Sequence, residues 1–306
     1  MGWEQIFQST RGGLTRAAFV CAAFAAAGWA SAGEPLTWAI YDLAPSYIVE
    51  GTPTPGDLGK GIGDTLLRML IKSMPEYEHK VVLMTMPRIM AEMQAGRPIC
   101  MVNALRSPER SKLAYSTPLL LTPAPQLVLK AGLLARHPAW KSGVSLAELT
   151  TDARLQGQYQ TGRSFGEKID AVVHAPGNVG LKANSGATAA NSLRMIDIGR
   201  ADYTIEYPVL VALRAQRGEV SDELTSVPLL DADPFVEGYA MCTRSDWGKA
   251  VLRRIDSELQ AHATTREYQS ALAHWLSKSE LKLHQHDYER FYQTRANTRF
   301  CQADCP

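Results

Sequence analysis

Neither sign of charge dominates this sequence of 306 residues, in which 32 Lys and Arg stand against 31 Asp and Glu. A phosphate-binding surface needs a clustered excess of Lys and Arg, so the balance argues against nucleic acid as a partner. Long apolar runs are missing beyond the N-terminus: no later segment approaches the roughly 18 apolar residues of a membrane span, and the mature chain is expected to be soluble. Metal-site spacings are absent as well. There is no C-x-x-C or H-x-x-x-H, and His284-x-His286 reads as part of a solvated face. No Ser-His-Asp order and no phosphate-binding loop occurs, so no catalytic residue, metal or cofactor is expected.

What is present begins with an export signal. Arg11 and Arg16 form a basic n-region, residues 17–28 an apolar run too short to span a bilayer, and Ala30-Ser31-Ala32 a small-residue cleavage site. Residues 1–32 are therefore read as a signal peptide, with an uncleaved anchor as the alternative. Cys21 lies inside the apolar run behind Phe19-Val20, as part of the removed signal and not as a lipid-attachment site. Cleavage leaves 274 residues, 30 of them basic and 30 acidic, enough for one large domain or two ordinary ones. It also leaves four cysteines for an oxidising compartment, Cys100, Cys242, Cys301 and Cys305, with three possible pairings.

The most informative stretch is 99–118. An apolar run at 99–102 reads as a short buried strand and ends at Asn103. Ser107-Pro108-Glu109 then has the form of a helix start: Ser at the cap, Pro at the first helical position and an acid in the first turn. That places Arg110 in the first turn, where the helix dipole offers a cation nothing. A guanidinium there needs a partner, either a ligand carboxylate or a structural Asp or Glu.

Elsewhere, strands are expected at 36–39, 80–84, 154–160, 203–205 and 238–243. Helices are expected at 61–74, 87–94, 145–149, 166–174, 191–198, 247–262 and 265–276. Arg88 falls in the first turn of its helix and is a candidate ligand contact. The Met84, Met86, Met90 and Met93 spacing is that of a strand and a helix facing one core. The turn Gly162-Arg163-Ser164 follows a strand and ends in Ser at a helix start, which is an anion site by geometry.

The order of these motifs resembles the periplasmic solute-binding proteins of the polar amino-acid type, solute-binding family 3, of ABC transporters. The likeness is carried by Leu105-Arg106-Ser107-Pro108-Glu109-Arg110, by Tyr115-Ser116-Thr117-Pro118, by Gly61-Ile62-Gly63-Asp64-Thr65-Leu66 and by Gly199-Arg200-Ala201-Asp202. It extends from Leu36 to about residue 277.

The resemblance implies an α/β fold of two lobes, the type II periplasmic-binding-protein-like fold. Each lobe is a doubly wound sheet with flanking helices, and two crossing segments join them. Lobe one is then residues 33–126 and 234–306, and lobe two residues 127–233, with 119–129 and 229–235 as the crossings. The implied function is periplasmic binding of a small solute, an amino acid, small carboxylate or short peptide, by a monomer serving a membrane permease. Alternatives are a sensory or accessory module without a transporter, and a dehydratase-like enzyme in which Glu206 is a general acid.

Implied ligand contacts are Ser107 and Arg110, Tyr47 in the loop 41–47, Arg88, Gly162, Arg163, Ser164, Glu206 and Tyr207. Two positions depart from the amino-acid binders. Leu105 stands where they often place Thr, and the Asp that holds the ligand's ammonium group falls on Tyr207, with Glu206 one residue early. Both weigh against a free α-amino acid more than against binding. On this topology Cys100 in an outgoing strand and Cys242 in the returning one are neighbours pinning the root of the hinge, and Cys301 closes a small ring with Cys305. Nothing in the pattern explains the tail beyond 277.

Overall fold

A computed structural model describes residues 33–185, 188–276, 278–301 and 305. The expected signal peptide, Cys21 included, lies outside the described residues. Among those described, no helix is long and apolar enough to cross a membrane.

The described residues form ten strands: β1 (Glu34–Ile40), β2 (Tyr77–Leu83), β3 (Ile99–Ala104), β4 (Ala114–Pro123), β5 (Gln126–Lys130), β6 (Gly157–Gln160), β7 (Leu181–Asn184), β8 (Tyr203–Glu206), β9 (Leu224–Val227) and β10 (Phe235–Thr243). They make two five-stranded sheets, ordered β2-β1-β3-β10-β4 and β7-β6-β8-β5-β9. In the first, β1 runs parallel to β2 and β3, while β10 is antiparallel to β3 and β4. In the second, β6 runs parallel to β7 and β8, while β5 is antiparallel to β8 and β9.

Among the described residues twelve α-helices flank the sheets: α1 (Ile62–Ser73), α2 (Met86–Gln94), α3 (Pro108–Leu113), α4 (Ala131–Arg136), α5 (Leu146–Leu149), α6 (Glu167–Val173), α7 (Ala189–Asp197), α8 (Pro208–Gln216), α9 (Asp246–His262), α10 (Arg266–Ala273), α11 (Lys278–Leu283) and α12 (Gln285–Asn297). Half of them start at a residue whose side chain takes an otherwise unpaired N–H, Thr188 of α7 among them. Thr85 caps α2, Ser107 α3, Ser145 α5, Ser245 α9 and Thr265 α10.

Both faces of each sheet are buried, so successive residues of one strand join different cores. Leu36, Trp38 and Ile40 of β1 pack with Leu66, Leu67 and Leu70 of α1 and with Val251, Ile255 and Leu259 of α9. Ala39 on the opposite face joins Met86, Ile89 and Met93 of α2. In the second sheet Leu127 and Leu129 enter a core with Leu146, Phe165 and Ile169, and Val128 enters another with Leu193 and Leu210.

The structure corrects several expectations. The stretch 119–129 passes from one sheet to the other, but most of it is ladder: β4 completes its pairing with β10 through Pro123, and β5 begins a new ladder with β8 at Gln126. Only Ala124 and Pro125 lie between, and the Ala124 N–H donates to the Pro234 carbonyl of the return segment at 3.0 Å. The strand expected from 154 starts at Gly157, because Arg154 is drawn into a turn by its ion pair with Asp152.

Cys100 and Cys242 are bonded, facing each other across β3 and β10 with Cα atoms 4.1 Å apart. Their place differs from the expected one. Cys242 lies opposite Tyr115 at the start of β4, whereas the crossing leaves from Pro123 at its other end, roughly 27 Å along the strand at 3.4 Å per residue. The bond therefore staples the first sheet at the end remote from the crossing. Cys301 and Cys305 form the second disulfide.

The tail forms α11 and α12. Tyr288 and Tyr292 of α12 join the core of the first lobe, meeting Phe235 and Tyr268 edge-on at centroid distances of 5.8 and 5.9 Å.

Candidate functional site

The carboxyl ends of β1 and β3 in one lobe face the carboxyl ends of β6 and β8 in the other. In open α/β sheets this is where ligands bind. A cavity of about 400 Å³ occupies the place and is lined from both lobes. Tyr41, Asp42, Leu43, Ser46, Met84, Thr85, Asn103, Leu105 and Arg110 come from the first, and Gln160, Arg163, Ser164, Tyr207, Val209 and Leu210 from the second. Its volume is within the range of small-molecule sites.

The first-lobe wall is held by hydrogen bonds between the loop 41–47 and the end of β3. Tyr47 donates to the Val102 carbonyl (2.9 Å) and Tyr41 to that of Asn103 (2.7 Å). Asn103 has φ +57°, a left-handed conformation that Asn tolerates better than most residues, and its Nδ2 donates to Ser46 Oγ at 2.6 Å. The Asp64 carboxylate accepts from the Ile48 and Gly61 N–H groups at 2.8 and 2.9 Å and ties the loop to the start of α1. Burial nevertheless holds its pKa above the ordinary aspartate value. Gly63 lets the helix approach so closely that an added Cβ would lie 2.7 Å from Tyr47 Cζ. Gly63→Ala is expected to displace Tyr47 and cost about 1–3 kcal/mol; an unchanged thermal melt would refute this.

Arg110 is the central side chain. The Ser107 cap turns its backbone into α3, and its side chain is only 7% exposed. Its Nη1 donates to the Leu105 carbonyl at 2.7 Å, and its Nη2 reaches across the cleft to the Gly162 carbonyl at 3.2 Å. Among the described residues no carboxylate stands within ion-pair distance of it. Burial pulls its pKa below the ordinary arginine value, but a guanidinium remains a cation at neutral pH. Among the described residues no structural acid pairs with it; Asp170 and Glu109 act on its charge only from farther off, and the guanidinium faces the cavity.

On the opposite wall the turn after β6 places Gly162 at φ +76°, where a Cβ would touch Pro87 of the other lobe at 3.4 Å. The lobes therefore meet over the cavity. Two of the N–H groups expected to form an anion nest in this turn are spent inside the protein. The turn offers Arg110 a carbonyl, the Arg163 N–H is spent on the Gln160 carbonyl (3.2 Å) and the Phe165 N–H on Asp170 (2.7 Å). Nor is Ser164 a helix cap: α6 starts later, with Gly166 at the cap, and Ser164 Oγ donates to Asp170.

Arg163 forms a bidentate ion pair with Glu206 through both guanidinium Nη atoms. The pair is flanked by the rings of Phe165 and Tyr207, 5.2 and 5.9 Å from the guanidinium carbon. Burial works against the Arg163 charge, but Glu206 outweighs it and raises the pKa. Glu206 is 1% exposed, and its Oε1 also accepts the Tyr207 N–H at 2.8 Å. Its carboxylate is thus engaged as an ion-pair partner instead of standing free as an acid.

Of the candidate contacts, Arg110, Arg163, Ser164 and Tyr207 line the cavity, and Glu206 and Gly162 stand directly behind that lining. Three do not reach it. Arg88 is exposed and pairs with Glu92 one turn on at 2.5 Å, because the first turn of α2 points it to solvent. Tyr47 is wholly buried behind the loop. Ser107 is spent on the cap and on a bond to Glu109 at 2.9 Å. The loop 41–47 does line the cavity, through Tyr41 and Asp42 instead of Tyr47, while Asn103, Val209 and Leu210 were not among the expected contacts. Asn ending an apolar run was the one available signal, since Asn is enriched in left-handed backbone.

No family model and no curated protein sequence matches the chain. Solved structures do. An ancestral arginine-binding protein bound to arginine is 16% identical, covering 80% of this chain and 99% of its own, with a TM-score of 0.60. A putative L-cystine ABC transporter protein from Listeria monocytogenes is 16% identical, covering 81% and 97%, with a TM-score of 0.59. A histidine kinase sensor domain with similarity to periplasmic binding proteins is 14% identical, covering 80% and 97%, with a TM-score of 0.62. At these identities the likeness is one of fold: the chain has the two-lobed architecture of the periplasmic binding proteins.

Proposed function

We propose that the protein binds a small solute in the cleft between its lobes, with an acidic group of the solute on Arg110. The observation that carries this is the buried guanidinium of Arg110, with no carboxylate in ion-pair range among the described residues, at the wall of a cavity formed by both lobes. Leaving such a charge without a counterion costs several kcal/mol, and a bound anion recovers it.

The proposed lobes are residues 33–126 with 234–306, and 127–233, hinged at the paired segments around Ala124 and Pro234. Arg110 holds the solute's anion; Tyr207, Ser164 and the Gly162 turn close on it, and the Arg163–Glu206 pair stiffens the second wall. The chain is exported by its first 32 residues, acts as a periplasmic monomer without cofactor, metal or nucleic acid, and passes its solute to an ABC transporter permease. The likeness to a histidine kinase sensor domain favours a second reading, a sensory module that uses the same cleft without a transporter.

A thermal-shift screen of amino acids, small carboxylates and oligopeptides is expected to yield at least one solute that raises Tm. Arg110→Ala should abolish that shift, since truncating one partner of a buried charge pair costs about 2–5 kcal/mol. A shift that survives the substitution would remove Arg110 from the site. Mass spectrometry of the incubated solute should return it unchanged; a dehydrated product would instead support the enzyme.

A further inference from the structure

The charges around the cavity restrict the solute class, given the reading of the cleft as a solute site. We infer that the preferred solute is a carboxylate with an apolar body and no ammonium group beside the acid. Arg110 brings one positive charge to the interior, buried and, among the described residues, with no carboxylate in ion-pair range; Asp170 acts on it from behind the lining, where Ser164 and the Phe165 N–H occupy its carboxylate. Arg163 adds none, because Glu206 cancels it through both oxygens. A monocarboxylate on Arg110 therefore brings the interior to neutrality.

An α-amino acid brings an ammonium group along with its carboxylate, and the sum stays at one positive charge. That ammonium must lose its water, yet no acid inside the cavity is free to receive it. Glu206 is 1% exposed and already accepts from Arg163 and from the Tyr207 N–H. Asp42, the other lining acid, is exposed at the rim, where water screens it. Much of the remaining wall is apolar: Leu43, Met84, Leu105, Leu120 and Leu210 suit a hydrocarbon body and offer an ammonium nothing.

The test uses matched pairs that differ only in the amino group, leucine against 4-methylpentanoate and phenylalanine against 3-phenylpropanoate, titrated calorimetrically into the mature protein. In at least one pair the desamino acid should bind roughly 30-fold more tightly, as an unpaired buried charge requires, and Arg110→Ala should remove its binding. In Arg163→Met, with its fold checked by circular dichroism, Glu206 is released and the gap should narrow. An unchanged gap would overturn the role given to the ion pair. An amino acid that binds as tightly as its desamino partner, yet is lost in Arg110→Ala, overturns this inference and leaves the solute-binding reading standing. If neither member of either pair binds at millimolar concentration the inference also falls, and the wider screen then decides the reading itself.

Discussion

Replacing Arg295 with alanine is expected to lower the unfolding free energy by about 3–5 kcal/mol, the usual cost of breaking a buried ion pair from one side. Arg295 is completely buried and Asp256 is 1% exposed. Arg295 Nη2 donates to Asp256 Oδ1 at 2.6 Å and to its carbonyl at 2.8 Å, and Nη1 donates to the Thr298 carbonyl at 3.0 Å. Asp256 also accepts from Thr117 Oγ1 at 2.5 Å and from the Cys301 N–H at 3.2 Å. One carboxylate of α9 thus gathers β4, α12 and the C-terminal disulfide segment. Burial pulls the Arg295 pKa below the ordinary value even beside Asp256, a sign of how much solvation the guanidinium has given up. Removing it strands Asp256 in the core and releases Tyr288 and Tyr292 with it. Urea unfolding measures the loss, and a loss below about 1 kcal/mol would show that α12 is not clamped by this pair. The double replacement Arg295→Met with Asp256→Leu should recover much of the loss, because no charge is then left alone.

The second large effect belongs to the Cys100–Cys242 bond, which closes a sequence separation of 142 residues. The chain-entropy model gives such a closure about 4–5 kcal/mol, against about 2 kcal/mol for Cys301–Cys305 with its separation of 4. Cys100→Ser with Cys242→Ser should therefore lower stability well beyond Cys301→Ser with Cys305→Ser. Solute affinity should stay nearly constant, since the bond lies at the end of the sheet remote from the crossing. Equal losses in the two double variants would rule out the loop-length argument. Peptide mapping without reductant should return Cys100 joined to Cys242; Cys100 linked to Cys301 or Cys305 would overturn the pairing.

Elements whose stability is decided within a few residues were readable beforehand. Ser107-Pro108-Glu109 starts α3 because cap, first helical position and first turn each satisfy a local demand, and a Ser or Thr cap likewise opens α2, α5 and α9. The apolar spacing of Val251, Ile255 and Leu259 marks the buried face of α9 for a similar reason. Misreadings arose where a distant partner decides. The run 119–129 is largely apolar and broken by Pro123 and Pro125, and the ladders with β10 and β8 decide that its halves belong to two different sheets. Ser164 looks like a helix cap until Asp170 takes its hydroxyl. The tail has little aliphatic pattern, since α12 docks through Tyr288, Tyr292 and one buried Arg whose acid lies 39 residues away.

The sequence alone determined that Arg110 enters a helix just past a strand and needs a negative partner there, because cap and strand end are both local. It could not tell whether that partner was a structural acid or a solute. Tertiary structure removed the structural acid: among the described residues no carboxylate lies in ion-pair range of Arg110 where the second lobe closes over it, and Glu206 is committed to Arg163, 43 residues away. Sheet order brings such residues together, and no periodicity or short motif records which charge will be spent on which.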